Sequence, residues 1–301
     1  MAKDPWGSLK AGTVLELGGA KILVCDGQGD PKRDLYPIEE VLLEERSPYQ
    51  EALVVRSRYW GHMLVLDGAL QLAERDEHVY HEMLVHPALF LHPRPQRVVV
   101  IGGGDGGTLR EVLKHPEVQK AYLVEIDDAV VKLAQRYFPQ VIACLKDPRA
   151  ELVIQDGLQF MAEASPGSFD VVIIDLTDPV GPAQALFQPP FYQSVRRALA
   201  KDGLLATQSE PLVFRRHLVR QVQESLLACF PSVDLYAAVL PTYGGNWWTF
   251  SLASTTPGAN LREPVRTSPI TTRLYRPDVH RWAFLPPSLV ADVRSGTGDW
   301  W

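Results

Sequence analysis

Residues 97–107 read RVVVIGGGDGG. The apolar, largely β-branched run at 98–101 suits a strand buried on both faces. The glycines of Gly102-Gly103-Gly104-Asp105-Gly106-Gly107 permit positive φ and close approach of backbone to a ligand. A Gly-rich loop alone says little, because its spacing also roughly suits a dinucleotide site. Asp105 narrows the choice. Its carboxylate would repel a pyrophosphate, and equally the carboxylate of an intact methionine moiety, and would attract an ammonium group. Asp105 also reads as a cap of the following helix, since Asp is a leading cap residue.

Outward from this stretch the chain alternates. A helix is predicted over 108–115, then strand 121–126, helix 129–137, strand 151–154, helix 158–164, strand 170–175, helix 190–199 and strand 203–207. Apolar strands alternating with helices argue a parallel sheet covered on both faces. The runs 233–239 and 247–253 have no helix between them and are predicted to pair antiparallel at the sheet edge. Upstream, 13–17, 20–25, 51–56, 62–66 and 70–73 are short strand-like runs, with 26–34 a polar link. Asp67-Gly68 between two of them is a hairpin signal. Helical spacing begins at His78 and Pro93 ends it. The fold class is α/β, with an N-terminal β-strand domain over 1–90 and a catalytic domain over 91–301.

A net charge of −6 gives no sign of a nucleic-acid partner. No apolar run approaches the roughly 20 residues of a membrane span, and the first twelve residues lack a signal-peptide core. A cytoplasmic protein is expected. Cys25, Cys144 and Cys229 are scattered and odd in number, so they read as reduced thiols. His81 and His86 miss the H-E-x-x-H spacing by one residue, and together with His78 they are not expected to hold a metal.

In a doubly wound sheet, ligands bind beyond the carboxyl ends of the strands. Glu125 ends the second strand, where an acid commonly grips both hydroxyls of a ribose. Asp156-Gly157 follows the third and could read an adenine amino group, although Asp-Gly is also a common turn. Asp175 and Asp178 follow the fourth. These sites describe an adenosyl pocket without phosphate recognition. The chemistry inferred is displacement at a carbon attached to a sulfonium, with an amine as nucleophile. An alkylamine has a pKa of about 10, so it must lose a proton to a nearby carboxylate before attack. A second acid would hold the far ammonium of a diamine. Asp105, Asp175 and Asp178 supply the carboxylates, although Asp175/Asp178 also reads as a strand-end turn before Pro179. The sulfonium leaves readily, so neither metal nor prosthetic group is expected.

These residues resemble the spermidine synthase family from about residue 41 to 290. Further matching motifs are Tyr49-Gln50, Leu66-Asp67-Gly68, Glu74-Arg75-Asp76-Glu77, Tyr80-His81-Glu82-Met83, the run DLTDPVGPA at 175–183, Gln208, Pro241-Thr242-Tyr243 and Asp278-Val279-His280. The resemblance implies a small N-terminal β-domain before a Rossmann-like, methyltransferase-type sheet, assembled as a homodimer or homotetramer. It implies that Gln50, His81, Gly102, Gly104, Asp105, Glu125, Asp156 and Gly157 bind the co-substrate decarboxylated S-adenosylmethionine. Asp175 would be the general base, and Tyr80, Asp105, Asp178, Gln208 and Tyr243 would shape a site for putrescine. Residues 176–187 would form a gatekeeping loop. Two stretches depart from the family: the added strands over 13–25, and Gly244-Gly245-Asn246-Trp247-Trp248 after Tyr243. A Trp lining the distal pocket would favour putrescine over spermidine; alternatively both Trp pack at the sheet edge. The rival readings are an S-adenosylmethionine methyltransferase, a spermine or thermospermine synthase, and a polyamine-sensing protein.

Overall fold

The computed structural model describes residues 9–26, 32–178, 181–267 and 269–297. The first eight residues, 27–31 of the expected link, and Pro179 and Val180 of the expected gate loop lie outside the described residues. Two small antiparallel sheets come first. One holds β1 (Val14–Leu17), β2 (Ala20–Asp26) and β3 (Arg33–Ile38) in that order. The other holds β4 (Glu40–Arg46), β5 (Glu51–Ser57), β6 (Gly61–Leu66) and β7 (Ala69–Ala73). The Asp67-Gly68 signal is a two-residue hairpin with Leu66 opposite Ala69. Both turn residues have positive φ, 47° and 82°, as a turn matched to the strand twist requires. β3 and β4 were not expected. β4 is an edge strand reading EVLLEER, and the charge that protects an edge hides its alternation.

α1 (Glu77–Leu91) leads into β8 (Arg97–Gly102), the strand from which the sequence reading began. Then come α2 (Gly107–Leu113), β9 (Lys120–Glu125), α3 (Asp128–Tyr137), α4 (Pro139–Ile142), β10 (Ala150–Ile154), α5 (Gly157–Glu163) and β11 (Phe169–Asp175). α6 (Pro189–Ala198), β12 (Leu199–Pro211), α7 (Arg216–Leu227), β13 (Ser232–Leu240), β14 (Asn246–Ser254), α8 (Pro277–Ala283) and α9 (Pro287–Ser295) complete the chain. The large sheet has the order β10-β9-β8-β11-β12-β14-β13, parallel from β10 to β12, with β14 antiparallel to both neighbours. This is the expected Rossmann-like arrangement. The helices α7, α8 and α9 were not anticipated, although Val219, Val222 and Leu226 of α7 show helical spacing on its buried face.

Successive residues of a strand point to opposite faces, and the cores divide accordingly. Val98, Val100, Val171 and Ile173 join one core with Leu84 and Ala88 of α1 and Leu109 and Val112 of α2. Val99, Ile101, Val172 and Ile174 join the other with Met161, Phe191, Tyr192, Val195 and Val222. The four-stranded sheet splits likewise: Leu53, Val55, Met63 and Val65 belong to the first core, while Ala52, Val54, Leu64 and Leu66 pack on Val130 and Leu133 of α3.

From β8 the chain builds outward through β9 to β10, then returns to place β11 on the other side of β8. A crevice opens where connections diverge in this way, at the carboxyl ends of the strands. Gly102 and Asp175 are direct partners across that point, so the Gly-rich loop and the fourth strand end meet there.

Candidate active site

A cavity of about 350 Å3 lies between the β6–β7 hairpin and the carboxyl ends of β8, β9, β10 and β11. Its acids are Asp26, Asp67, Asp105, Glu125, Asp156, Asp175 and Asp178, against His81 and Arg215 as basic groups. The surplus of carboxylates suits a cationic ligand.

The Gly-rich loop is shaped by what it touches. Gly102 has φ +81°, and a Cβ there would collide with the Asp175 carbonyl oxygen. A Cβ on Gly107 would collide with Cε1 of the His81 ring. Asp105 Oδ1 accepts the Gly107 N–H at 2.7 Å at the start of α2, whose cap position is Gly106, and its side chain lines the cavity 3.5 Å from His81 Nε2. His81 Nδ1 bonds Glu77 Oε2 at 2.6 Å, and Glu77 pairs with Arg110 at 2.8 Å. Burial alone would lower the His81 pKa, but Asp105 and Glu77 outweigh it and push it up to about 9. Burial works against ionisation of Glu77, yet His81 and Arg110 hold it down to about 2.

Asp175 is buried, with Tyr80 donating its hydroxyl to Oδ1 at 2.8 Å and Thr108 donating to Oδ2 at 2.5 Å. Burial, and then the charge of Asp105, raise its pKa, while His81 and the two hydroxyls oppose the rise. Tyr243 lines the same cavity and donates its hydroxyl to the Gln71 carbonyl at 2.6 Å. Trp248 packs edge-on against Tyr243 at 4.8 Å, pairs with Ala238 and lines the cavity, on a strand that lies one in from the sheet edge rather than at it. Trp247 is 46% exposed and lies outside the cavity wall.

At the carboxyl end of β9, Glu125 accepts the N–H groups of Gly104 at 3.1 Å and Asp127 at 2.9 Å. Burial pushes its pKa up to about 7 against those donors. Gln50 lines the cavity and donates to Asp127 Oδ2 at 2.9 Å. Asp156 caps α5 through the Leu158 N–H at 2.8 Å while lining the cavity with Gly157. Gln208 is the exception. It is buried behind the cavity wall, donating to the Leu176 carbonyl at 3.3 Å and accepting the Glu210 N–H at 3.0 Å.

Asp178 lines the cavity in an ion pair that the sequence reading did not foresee, with Arg215 at 2.5 Å. Glu77, Thr108, Arg110, Asp26, Glu210 and Arg215 were all missed. Thr108, directly after the Gly-rich loop, was the one within local reach. Glu82, His86 and Glu111 bring possible ligand atoms within 4.8 Å of one another. Those atoms have internal partners: Glu82 accepts three backbone N–H groups from Arg273 to Tyr275, and His86 bonds Glu111 and His115.

The chain matches the family models for the spermine/spermidine synthase domain over residues 77–263 and for the spermidine synthase tetramerisation domain over 24–74. It is 45% identical to a polyamine aminopropyltransferase of Hydrogenobaculum sp. (strain Y04AAS1), covering 88% of this chain and 94% of that one. It is 43% identical, with the same coverage, to polyamine aminopropyltransferase 1 of Aquifex aeolicus (strain VF5). Among solved structures, a spermidine synthase in complex with the transition-state analogue AdoDATO superposes with a TM-score of 0.86 at 34% identity, covering 91% of this chain and 94% of that one. The spermidine synthase of Thermotoga maritima gives 0.82 at 32% identity, covering 90% and 93%.

Proposed function

The chain belongs to the spermine/spermidine synthase family, whose named relatives are polyamine aminopropyltransferases, and on that premise we propose that it moves an aminopropyl group from decarboxylated S-adenosylmethionine to putrescine. The observation that carries this reading is the pair Asp105, partly buried in the loop after β8, and Asp175, buried at the carboxyl end of the neighbouring β11, both facing one cavity. Asp105 receives the aminopropyl ammonium, which the carboxylate of ordinary S-adenosylmethionine would oppose. Asp175 takes a proton from the acceptor ammonium, and burial, which raises its pKa, makes it a stronger base than an exposed carboxylate. The freed amine attacks the carbon next to sulfur. A C–N bond forms, the C–S bond breaks, and its electron pair leaves on the sulfur as methylthioadenosine. Gln50, His81, Gly102, Gly104, Glu125, Asp156 and Gly157 hold the donor, and Tyr80, Asp178 and Tyr243 the acceptor. Gln208 acts from behind the wall through Leu176 and Glu210.

The same reading makes the enzyme a cytoplasmic homodimer or homotetramer, supported by the tetramerisation-domain match. Mass spectrometry of reactions offering putrescine, cadaverine, agmatine and spermidine tests the assignment. Spermidine and methylthioadenosine from putrescine are the expected products. Methylated product from ordinary S-adenosylmethionine would instead make the protein a methyltransferase.

A further inference from the structure

Around Asp178 lies an ion-pair cluster drawn from three parts of the chain. Arg215, just before α7, is largely buried with 13% of its side chain exposed, and it lines the cavity with Asp26, Asp178 and Trp248. One guanidinium nitrogen bonds Asp178 Oδ2 at 2.5 Å and Glu210 Oε2 at 3.0 Å, and the other bonds Asp26 Oδ2 at 2.9 Å. Glu210 has no exposed side-chain surface and holds φ at +73°, a left-handed conformation uncommon outside glycine. That backbone turn aims a carboxylate into an interior already holding two others. Burial, and then the charge of Asp178, push the Glu210 pKa up to about 8, with Arg215 opposing.

We propose that Arg215 is a specificity-determining residue that ends the acceptor channel and confines the acceptor to a diamine. The inference rests on reading this cavity as an aminopropyltransferase site. Arg215 engages Oδ2 of Asp178, and among the described residues no protein donor bonds Oδ1, which is left for the far ammonium of a diamine. A triamine carries one more ammonium and a longer tail. The next carboxylate in the cavity wall beside Arg215 is Asp26, and it already holds the guanidinium. The extra ammonium therefore meets a like charge where it needs an opposite one, a rejecting element built against the longer substrate. Trp248 lines the same cavity, packed edge-on against Tyr243.

The test compares kcat/KM for putrescine and for spermidine in the full-length wild type, Arg215→Gln and Arg215→Lys, following methylthioadenosine release. Arg215→Gln is expected to raise the spermidine-to-putrescine ratio at least about tenfold, because the cavity-lining carboxylates of Asp26 and Asp178 become available to the longer cation. Arg215→Lys keeps the charge and is expected to hold the ratio within about threefold of the wild type. A purely structural role would lower both substrates together and leave the ratio where it was, which overturns the assignment. Wild-type protein that already uses spermidine as well as putrescine also overturns it, whatever the variants do. Turnover of putrescine with an unmoved ratio removes the Arg215 role alone. Absence of methylthioadenosine with every amine removes the underlying aminopropyltransferase reading, and the Arg215 role with it.

Discussion

Asp175 takes its two hydroxyl donors from different elements, Tyr80 on α1 and Thr108 on α2. As the proposed base, it makes Asp175→Asn a variant in which kcat should fall by about 10²- to 10⁴-fold with donor affinity retained, read by steady-state kinetics and donor titration. Equal turnover in that variant would remove Asp175 from the chemistry. Glu125→Gln should act the other way, raising the donor KM while changing kcat little, because Glu125, which lines the cavity, is proposed to hold the donor. Thr108 lowers the Asp175 pKa through its hydrogen bond. Thr108→Val should therefore move the acid limb of the pH–rate profile to higher pH, and a profile that stays put would deny Thr108 this positioning role. Asp105, Glu125 and Asp175 were legible in the sequence because Glu125 and Asp175 end apolar strands and Asp105 sits in the Gly-rich loop after another. Glu210 and Arg215 were not, since nothing local marks a carboxylate or a guanidinium as an ion-pair partner.

At the scale of elements, the junction of α1 and α2 places His81 between Glu77 and Asp105. The His81 pKa is raised from 6.5 to about 9, so the stabilisation it supplies is complete below about pH 6.5 and lost as the pH rises through about 9. The depressed Glu77 pKa belongs to the same ion pair, whose stabilisation fades as the pH falls from 4.5 through about 2. Denaturant unfolding of wild type and His81→Gln should diverge by about 3 kcal/mol at pH 6 and converge above pH 10. A constant difference across that range would show that the charge on His81 is not what stabilises the junction. The same helix pair leaves no room at Gly107. Gly107→Ala should lower stability by about 1–3 kcal/mol through overpacking on the His81 ring. Gly167→Ala serves as a control: Gly167 has φ +69° with nothing within 4 Å of where an alanine methyl would stand, so it should cost only the backbone term of about 1 kcal/mol. Thermal denaturation of the two variants separates crowding from backbone strain. The strands were readable because full burial leaves a continuous apolar run, as in FDVVIID of β11. β4 was not, because the glutamates on its exposed edge break that pattern.

Across the whole molecule, a chain of net charge −6 concentrates carboxylates in one cavity. The KM for a diamine should therefore rise several-fold between about 50 and 500 mM salt, with kcat less affected, because screening weakens the field that draws the cation in. A salt-independent KM would show that local contacts alone bind the amine. The sequence by itself determined the doubly wound sheet, the Gly-rich loop and the acids at successive strand ends. Apolar periodicity and glycine placement are local properties, and strand-end position follows from chain order. Only the tertiary structure decided that Asp26 meets Arg215 across 189 residues, that Trp248 and not Trp247 faces the cavity, and that Gln208 stands behind its wall. Those outcomes depend on which distant surfaces close on one another, and a charged or aromatic side chain carries no mark in the sequence of the partner that burial will give it.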